Sequence, residues 1–154
     1  MRIVVDTNVL LRSIELGHSH HQSSLSAVDL LRQKEHDLCV VPQILYEFWS
    51  VATRPIENNG LGMTPADAHS EVILIQKLFH LLRDERGVYA HWEQLVSSHG
   101  VRGKQAHDAR IAAAMQRHSV THLLTFNTTD FARFSFVTAV SPVSILAGSI
   151  TASD

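Results

Sequence analysis

The stretch Met1-Arg2-Ile3-Val4-Val5-Asp6-Thr7-Asn8 decides how the rest of the chain is read. Ile3, Val4 and Val5 form an unbroken β-branched run, and such a run suits a strand covered on both faces, as in a parallel sheet. It stops abruptly at Asp6. Thr7 and Asn8, both good helix-capping residues, then precede the apolar Val9-Leu10-Leu11, which opens a helical stretch. Asp6 is therefore expected at the carboxyl end of a buried strand, where a helix begins. In open α/β sheets that is where ligands bind. We read Asp6 as the first of several carboxylates converging on a metal ion.

Working outward, 154 residues suffice for one domain with a real core, expected over residues 1–154. A hydrophobic share of 45% against 18% charged residues excludes a disordered chain. No apolar run reaches membrane-spanning length and no leader-like segment stands at the start, so a soluble, cytoplasmic protein is expected. Cys39, the one cysteine, lies in Leu38-Cys39-Val40-Val41 and reads as a small buried hydrophobe. A formal net charge of -2 excludes a non-specific nucleic-acid coat. It does not exclude a nuclease, because a bound divalent ion reverses the local sign at a site. Of the 11 histidines, His18, His20 and His21 cluster in a loop that opens a helix, and no Cys or carboxylate partner stands out to make them a metal site.

Strands alternate with helices along the whole length. After a helix to about Glu15, a second has Leu25, Val28 or Asp29, and Leu31 on its inner face. A strand over Leu38–Val41 leads to a helix opened by Pro42 and stopped at Arg54-Pro55. Thr64-Pro65-Ala66-Asp67 starts a helix expected to reach about Arg83. Gly87–Tyr89 is expected as a short strand and His91–His99 as a helix. A polar loop over 101–105 leads into a helix from about Ala106 to His118. Thr121–Thr125 and Phe136–Val140 read as strands, Asn127–Phe131 as a turn or short helix, and Ser141-Pro142 as the start of a last helix. This alternation indicates an α/β domain with a mostly parallel sheet.

Three further acids stand where apolar residues belong. Glu47 shares a helix face with Ile44 and Val51, and a carboxylate there is costly unless paired, protonated or bound to a cation. Alone it reads equally as a boundary glutamate that reaches solvent. Asp108 precedes Ile111, Ala112 and Met115 on the apolar face of its helix, and alone it reads as a first-turn acid favoured by the helix dipole. Asp130 leaves a strand as Asp6 does, in a run rich in side-chain oxygens that an ordinary turn also explains, and Asn127 can be a turn residue. Together the acids say more, because α/β topology gathers strand ends and helix starts on one edge of the sheet. Clustered carboxylates raise one another's pKa unless a cation neutralises them. Oxygen ligands favour hard ions such as Mg²⁺ or Mn²⁺, which hold phosphates and lower the pKa of bound water.

Val5-Asp6-Thr7-Asn8-Val9, Glu47 in a mid-chain helix, His107-Asp108-Ala109-Arg110-Ile111, and Thr125-Phe126-Asn127-Thr128-Thr129-Asp130-Phe131 together resemble the PIN-domain ribonucleases, above all the VapC-type toxins of bacterial toxin–antitoxin pairs. The resemblance spans nearly the whole chain. It implies a Rossmann-like three-layer α/β/α sandwich and Mg²⁺- or Mn²⁺-dependent endonuclease action on RNA by a metal-activated water. Asp6, Glu47 and Asp108 match the family's first three acids, Thr7 and Asn8 the residues that orient the first acid, and Thr125 a hydroxyl beside the site. The fourth position departs from the commoner pattern: Asn127 stands where many members have an acid, and Asp130 follows three residues later. The resemblance also implies a homodimer and a cognate antitoxin partner covering the acidic groove. Arg12, Arg102, Lys104 and Arg110 are candidate RNA contacts, with solvated surface as the plainer reading of each.

Two other readings compete. A phosphatase using Asp6 as nucleophile wants a second Asp two residues on, where this chain has Asn8. A PIN-like module with a weakened site, binding RNA or protein without turnover, is suggested by Asn127.

Overall fold

The computed structural model describes residues 1–150. Its five strands are β1 (Arg2–Val5), β2 (Asp37–Val40), β3 (His80–Leu81), β4 (His122–Leu124) and β5 (Thr138–Val140). They pair in the order β3-β2-β1-β4-β5, and every pairing is parallel. The register sets Val4 beside Cys39 on one side and Leu123 on the other. Ile3, Val4, Val5, Cys39, Val40, Leu123 and Leu124 are fully buried, as the β-branched run of the central strand requires.

Among the described residues seven α-helices flank the sheet: α1 (Thr7–Ile14), α2 (His21–Gln33), α3 (Pro42–Thr53), α4 (Pro65–Leu78), α5 (Arg86–Ser98), α6 (Gln105–Arg117) and α7 (Pro142–Leu146). α2 packs on α1 and α7, while α3 packs on α4 and α6, and α6 on α5. This is the three-layer α/β/α arrangement with a parallel sheet. The chain runs outward from β1 to β2 and β3, then returns to lay β4 and β5 on the other side. The order reverses between β1 and β4, so their carboxyl ends border the crevice that such a reversal opens.

Three local expectations are corrected. The helix from Thr64 ends at Leu78, not near Arg83, because Phe79 turns extended (φ -126°, ψ 143°) and His80–Leu81 joins the sheet as its edge strand. Phe79 and Leu82 are buried, and the Leu82 amide donates to Val40 O at 2.9 Å. Two residues are too few to display a strand's alternation. Gly87–Tyr89 is not a strand but part of the first turns of α5, which continues without a break to Ser98. Val88, Trp92 and Leu95 at helical spacing give it an inner face. A Cβ on Gly87 would lie 2.6 Å from the Arg117 side chain, so the glycine permits close packing against α6. In α2 the inner face is Ser24, Ala27, Val28 and Leu31, and Leu25 is only partly covered.

Candidate active site

Asp6 ends the central strand, where its amide extends the ladder by donating to Leu124 O at 2.9 Å. It is also the N-cap of α1, and its Oδ1 accepts from the Thr7 amide at 2.7 Å. Its Oδ2 accepts from the Thr125 hydroxyl at 2.7 Å and from Asn8 Nδ2 at 3.3 Å. Asn8 bridges the two strand ends: Nδ2 also donates to Thr125 Oγ1 at 3.1 Å, and Oδ1 accepts from the Phe126 amide at 3.1 Å. Thr125 Oγ1 further accepts from the Asn127 amide at 3.1 Å. Buried polar groups must be satisfied in this way, and here the satisfaction locks the carboxylate in one orientation.

Glu47 comes to the same crevice from the middle of α3. Its Oε2 accepts from the Thr7 hydroxyl at 3.2 Å and its Oε1 from Gln43 Nε2 at 3.1 Å. Asp108 stands in the first turn of α6. Asp6, Thr7, Asn8, Glu47, Asp108 and Asn127 all line one cleft of about 580 Å³. Lys104 lines it as well, whereas Arg102 does not. Arg12 is ion-paired with Glu15, and Arg110 with Asp84 at 3.1 Å, so neither offers a free charge to the cleft. Asp130 is exposed in a 3₁₀ turn over Thr128–Phe131 and does not line the cleft. Its charge nonetheless reaches Asp6 and Asp108.

The electrostatics set Asp6 and Asp108 apart from ordinary surface acids. Burial pushes Asp6 up to about 6, against the lowering effect of the Thr125 and Thr7 hydrogen bonds, and the charges of Glu47 and Asp130 raise it further. Asp108 is pushed up to about 7, first by burial and then by Asp6, Glu47 and Asp130, with Arg133 opposing. A simple helix cap would be held low by the dipole. Asp108 goes the other way, because burial and three neighbouring acids outweigh its position in the first turn.

That donor set of hard oxygens, with unrelieved negative charge, fits Mg²⁺ or Mn²⁺ held by Asp6, Glu47 and Asp108. A tighter trio, Asp37, Cys39 and His80, has its ligand atoms within 4.8 Å of one another at the opposite edge of the sheet. Asp37 is already paired with Arg2 at 3.1 Å, and burial pushes the Cys39 thiol up to about 12, so this trio reads as packing. The ligand atoms of Asp6, Glu47 and Asp108 do not all come within that distance of one another, and what they share is the cleft that they line.

A family model for the PIN domain matches residues 3–137. The chain belongs to the PIN-domain family. Solved structures agree in fold with this PIN domain. VapBC2 from Rickettsia felis, bound to a DNA fragment from its promoter, matches at 15% identity and TM-score 0.67, covering 92% of this chain and 98% of that one. FitAcB from Neisseria gonorrhoeae matches at 22% identity and TM-score 0.64, with 92% and 98% covered. The Mycobacterium tuberculosis toxin VapC20, described as cleaving the sarcin-ricin loop, matches at 15% identity and TM-score 0.65, with 86% and 95% covered. At these identities the likeness is one of fold. No curated protein sequence matches the chain.

Five residues that line the PIN-domain cleft escaped the sequence reading: Gln43, Tyr46, Ser50, Arg54 and His107. Gln43 and Ser50, four before and three after Glu47, share its face of α3, the C-cap Arg54 continues that line seven after it, and Tyr46 flanks it one before. That spacing was available once Glu47 was placed in the site.

Proposed function

We propose that this PIN domain is a divalent-metal-dependent endoribonuclease and the toxin of a VapBC-type toxin–antitoxin pair. The observation that carries the reading is that Asp6, Glu47 and Asp108 line one cleft at the sheet's reversal point, with Asp6 and Asp108 both driven toward protonation by burial first and by neighbouring carboxylates next. A Mg²⁺ or Mn²⁺ ion held by these three would supply neutralising charge for a phosphodiester and acidify a water. The residues of the chain divide the remaining work. Thr125, Asn8 and the Thr7 amide orient Asp6, while Thr7 and Gln43 orient Glu47. Asn127 offers an amide oxygen at the fourth position, and Asp130 adds charge from the rim. Lys104 and Arg54, both on the cleft wall, suit contacts with the RNA backbone on either side of the cut.

The family fold supports a cytoplasmic protein with an antitoxin partner, since its structural neighbours include toxin–antitoxin complexes. A homodimer is part of the same proposal. The test is cleavage of a panel of structured and single-stranded RNAs with and without Mn²⁺, using Asp6→Asn as control. Metal ions contribute several kcal/mol to such reactions, so the variant is expected to lose about 100-fold or more in rate. Cleavage that survives chelation or the Asp6→Asn change ends this reading.

The neutral Asn127 on the cleft wall favours a second reading, an RNA- or protein-binding module with little turnover. RNA binding by the unaltered protein without metal-dependent cleavage of any RNA in the panel selects it.

A further inference from the structure

Beside the acidic cleft lies a second hollow, of about 370 Å³, between the first turns of α5 and α6. It is lined by Val88, Tyr89 and Trp92 from α5, by His107 and Arg110 from α6, and by the buried Gln43 from α3. We propose that it is a nucleobase pocket, which holds one unpaired base of the RNA next to the phosphodiester to be cut. The proposal rests on the nuclease reading above and adds to it the residues that would take the base, Tyr89 and Trp92.

Continuity comes first. Gln43 and His107 line both the hollow and the cleft, so the two share a wall. Gln43 also donates to Glu47 Oε1 at 3.1 Å, which ties that wall to one of the acids. The lining chemistry comes second. Tyr89 and Trp92 have ring centroids 5.9 Å apart at an interplanar angle of 34°, and Tyr89 is 66% exposed. The Trp92 indole N–H donates to Ala106 O at 2.8 Å, so its polar atom is satisfied and the ring is held still. A fixed indole and an open phenol ring form a surface suited to a flat aromatic group, and every base has a π-face to stack on such rings.

Charge argues against a backbone phosphate in this hollow. Arg110, the one Lys or Arg among the residues lining it, is held bidentately by Asp84, at 3.2 and 3.1 Å, which leaves the hollow close to neutral. The cations on the cleft wall, Lys104 and Arg54, lie outside it. Phosphates thus suit the cleft and a base the hollow. A base paired in a duplex cannot enter without leaving its partner, which selects loops and single strands.

The test uses the full chain with Asp6→Asn, so that RNA is bound and not cut. A short single-stranded RNA is scanned with one abasic nucleotide at each position in turn. One position is expected to lose about tenfold in affinity, in line with the stacking of one base on an aromatic side chain. Tyr89→Ala should weaken the parent RNA by a similar factor and erase that position's effect, while Tyr89→Phe restores both. A 2-aminopurine at the sensitive position should be quenched on binding unless Tyr89 is truncated. A flat abasic scan, obtained with Tyr89 intact, overturns the pocket whether or not the variant folds. So does a Tyr89→Ala change that alters only the oligomeric state by light scattering, which would assign the hollow to a protein interface. Metal-dependent cleavage with a flat scan defeats the pocket alone. A sensitive scan with no cleavage by the unaltered protein in Mn²⁺ supports the pocket and defeats the nuclease.

Discussion

Thr125 shows how much a single oxygen organises. It is fully buried, donates to Asp6 and accepts from Asn8 and from the Asn127 amide. Thr125→Val keeps the shape and removes all three interactions, leaving two donors and a carboxylate oxygen short of partners. The expected destabilisation is roughly 1–3 kcal/mol, read by urea unfolding. Partners that orient metal-ligating groups are typically worth about 10–100-fold in affinity, so Mn²⁺ binding by calorimetry should weaken by that order, and Thr125→Ser should recover most of it. Unchanged Mn²⁺ affinity in Thr125→Val would show that Asp6 needs no such anchor. At this scale Asp6, Thr7 and Asn8 were legible, because a strand end followed by capping residues has a local signature. Asn127 and Asp130 were harder to separate. Which of two turn residues faces the cleft depends on the path of a short 3₁₀ turn, and no periodicity encodes that.

Helix α3 is the element that joins core to site. Ile44, Phe48 and Ala52 are fully buried, while Gln43, Glu47, Ser50 and Arg54 follow one another down the face that lines the cleft. Its C-terminal end is pinned by the loop that follows: the Gly62 amide donates to Arg54 O at 2.8 Å, and the Gly60 amide to Pro55 O at 3.0 Å. A Cβ on Gly60 would fall 1.9 Å from Arg54 O, a backbone atom that cannot step aside as a side chain can. Gly60→Ala is therefore expected to cost roughly 1–3 kcal/mol by thermal unfolding, the usual scale of overpacking. It should also raise the KM for RNA more than it lowers kcat, because Arg54 moves while the acids stay. An unshifted melting temperature would show that the loop yields freely. The elements themselves were mostly legible: β1, β2, β4 and the Pro42 and Thr64 helix starts carry strong local patterns. The edge strand β3 was not, since His80-Leu81 owes its conformation to hydrogen bonding with β2 and follows a helical pattern that nothing local interrupts. Gly87 misled in the opposite sense, as its reason for sitting in a helix lies on α6.

The whole molecule sets the electrostatic bill of the site, because the reversal of strand order at β1 and β4 draws together acids that are about 100 residues apart in the chain. That consequence is measurable without RNA. Asp6 rises from 3.8 to about 6 on folding, and Asp108 from 3.8 to about 7. Between about pH 4 and pH 7 the folded chain therefore holds more protons than the unfolded one, so these two groups make stability fall as pH rises through that window. For Asp6, 6% exposed, the shift corresponds to on the order of 3 kcal/mol. Asp108 is more open to solvent, and its larger shift carries proportionately less. In metal-free buffer, Asp108→Asn should gain stability relative to the unaltered protein as pH is raised from 4 to 8, since the neutral amide escapes the repulsion that develops across this range. The comparison between the two proteins removes the background titration of the 11 histidines they share. Mn²⁺ competes with protons for the same carboxylates, so it should stabilise the unaltered protein far more at pH 8 than at pH 5, and should do little for Asp108→Asn at either. Parallel pH–stability curves for the two proteins would mean that Asp108 does not feel the other acids, and the metal-binding argument would then lose its physical ground.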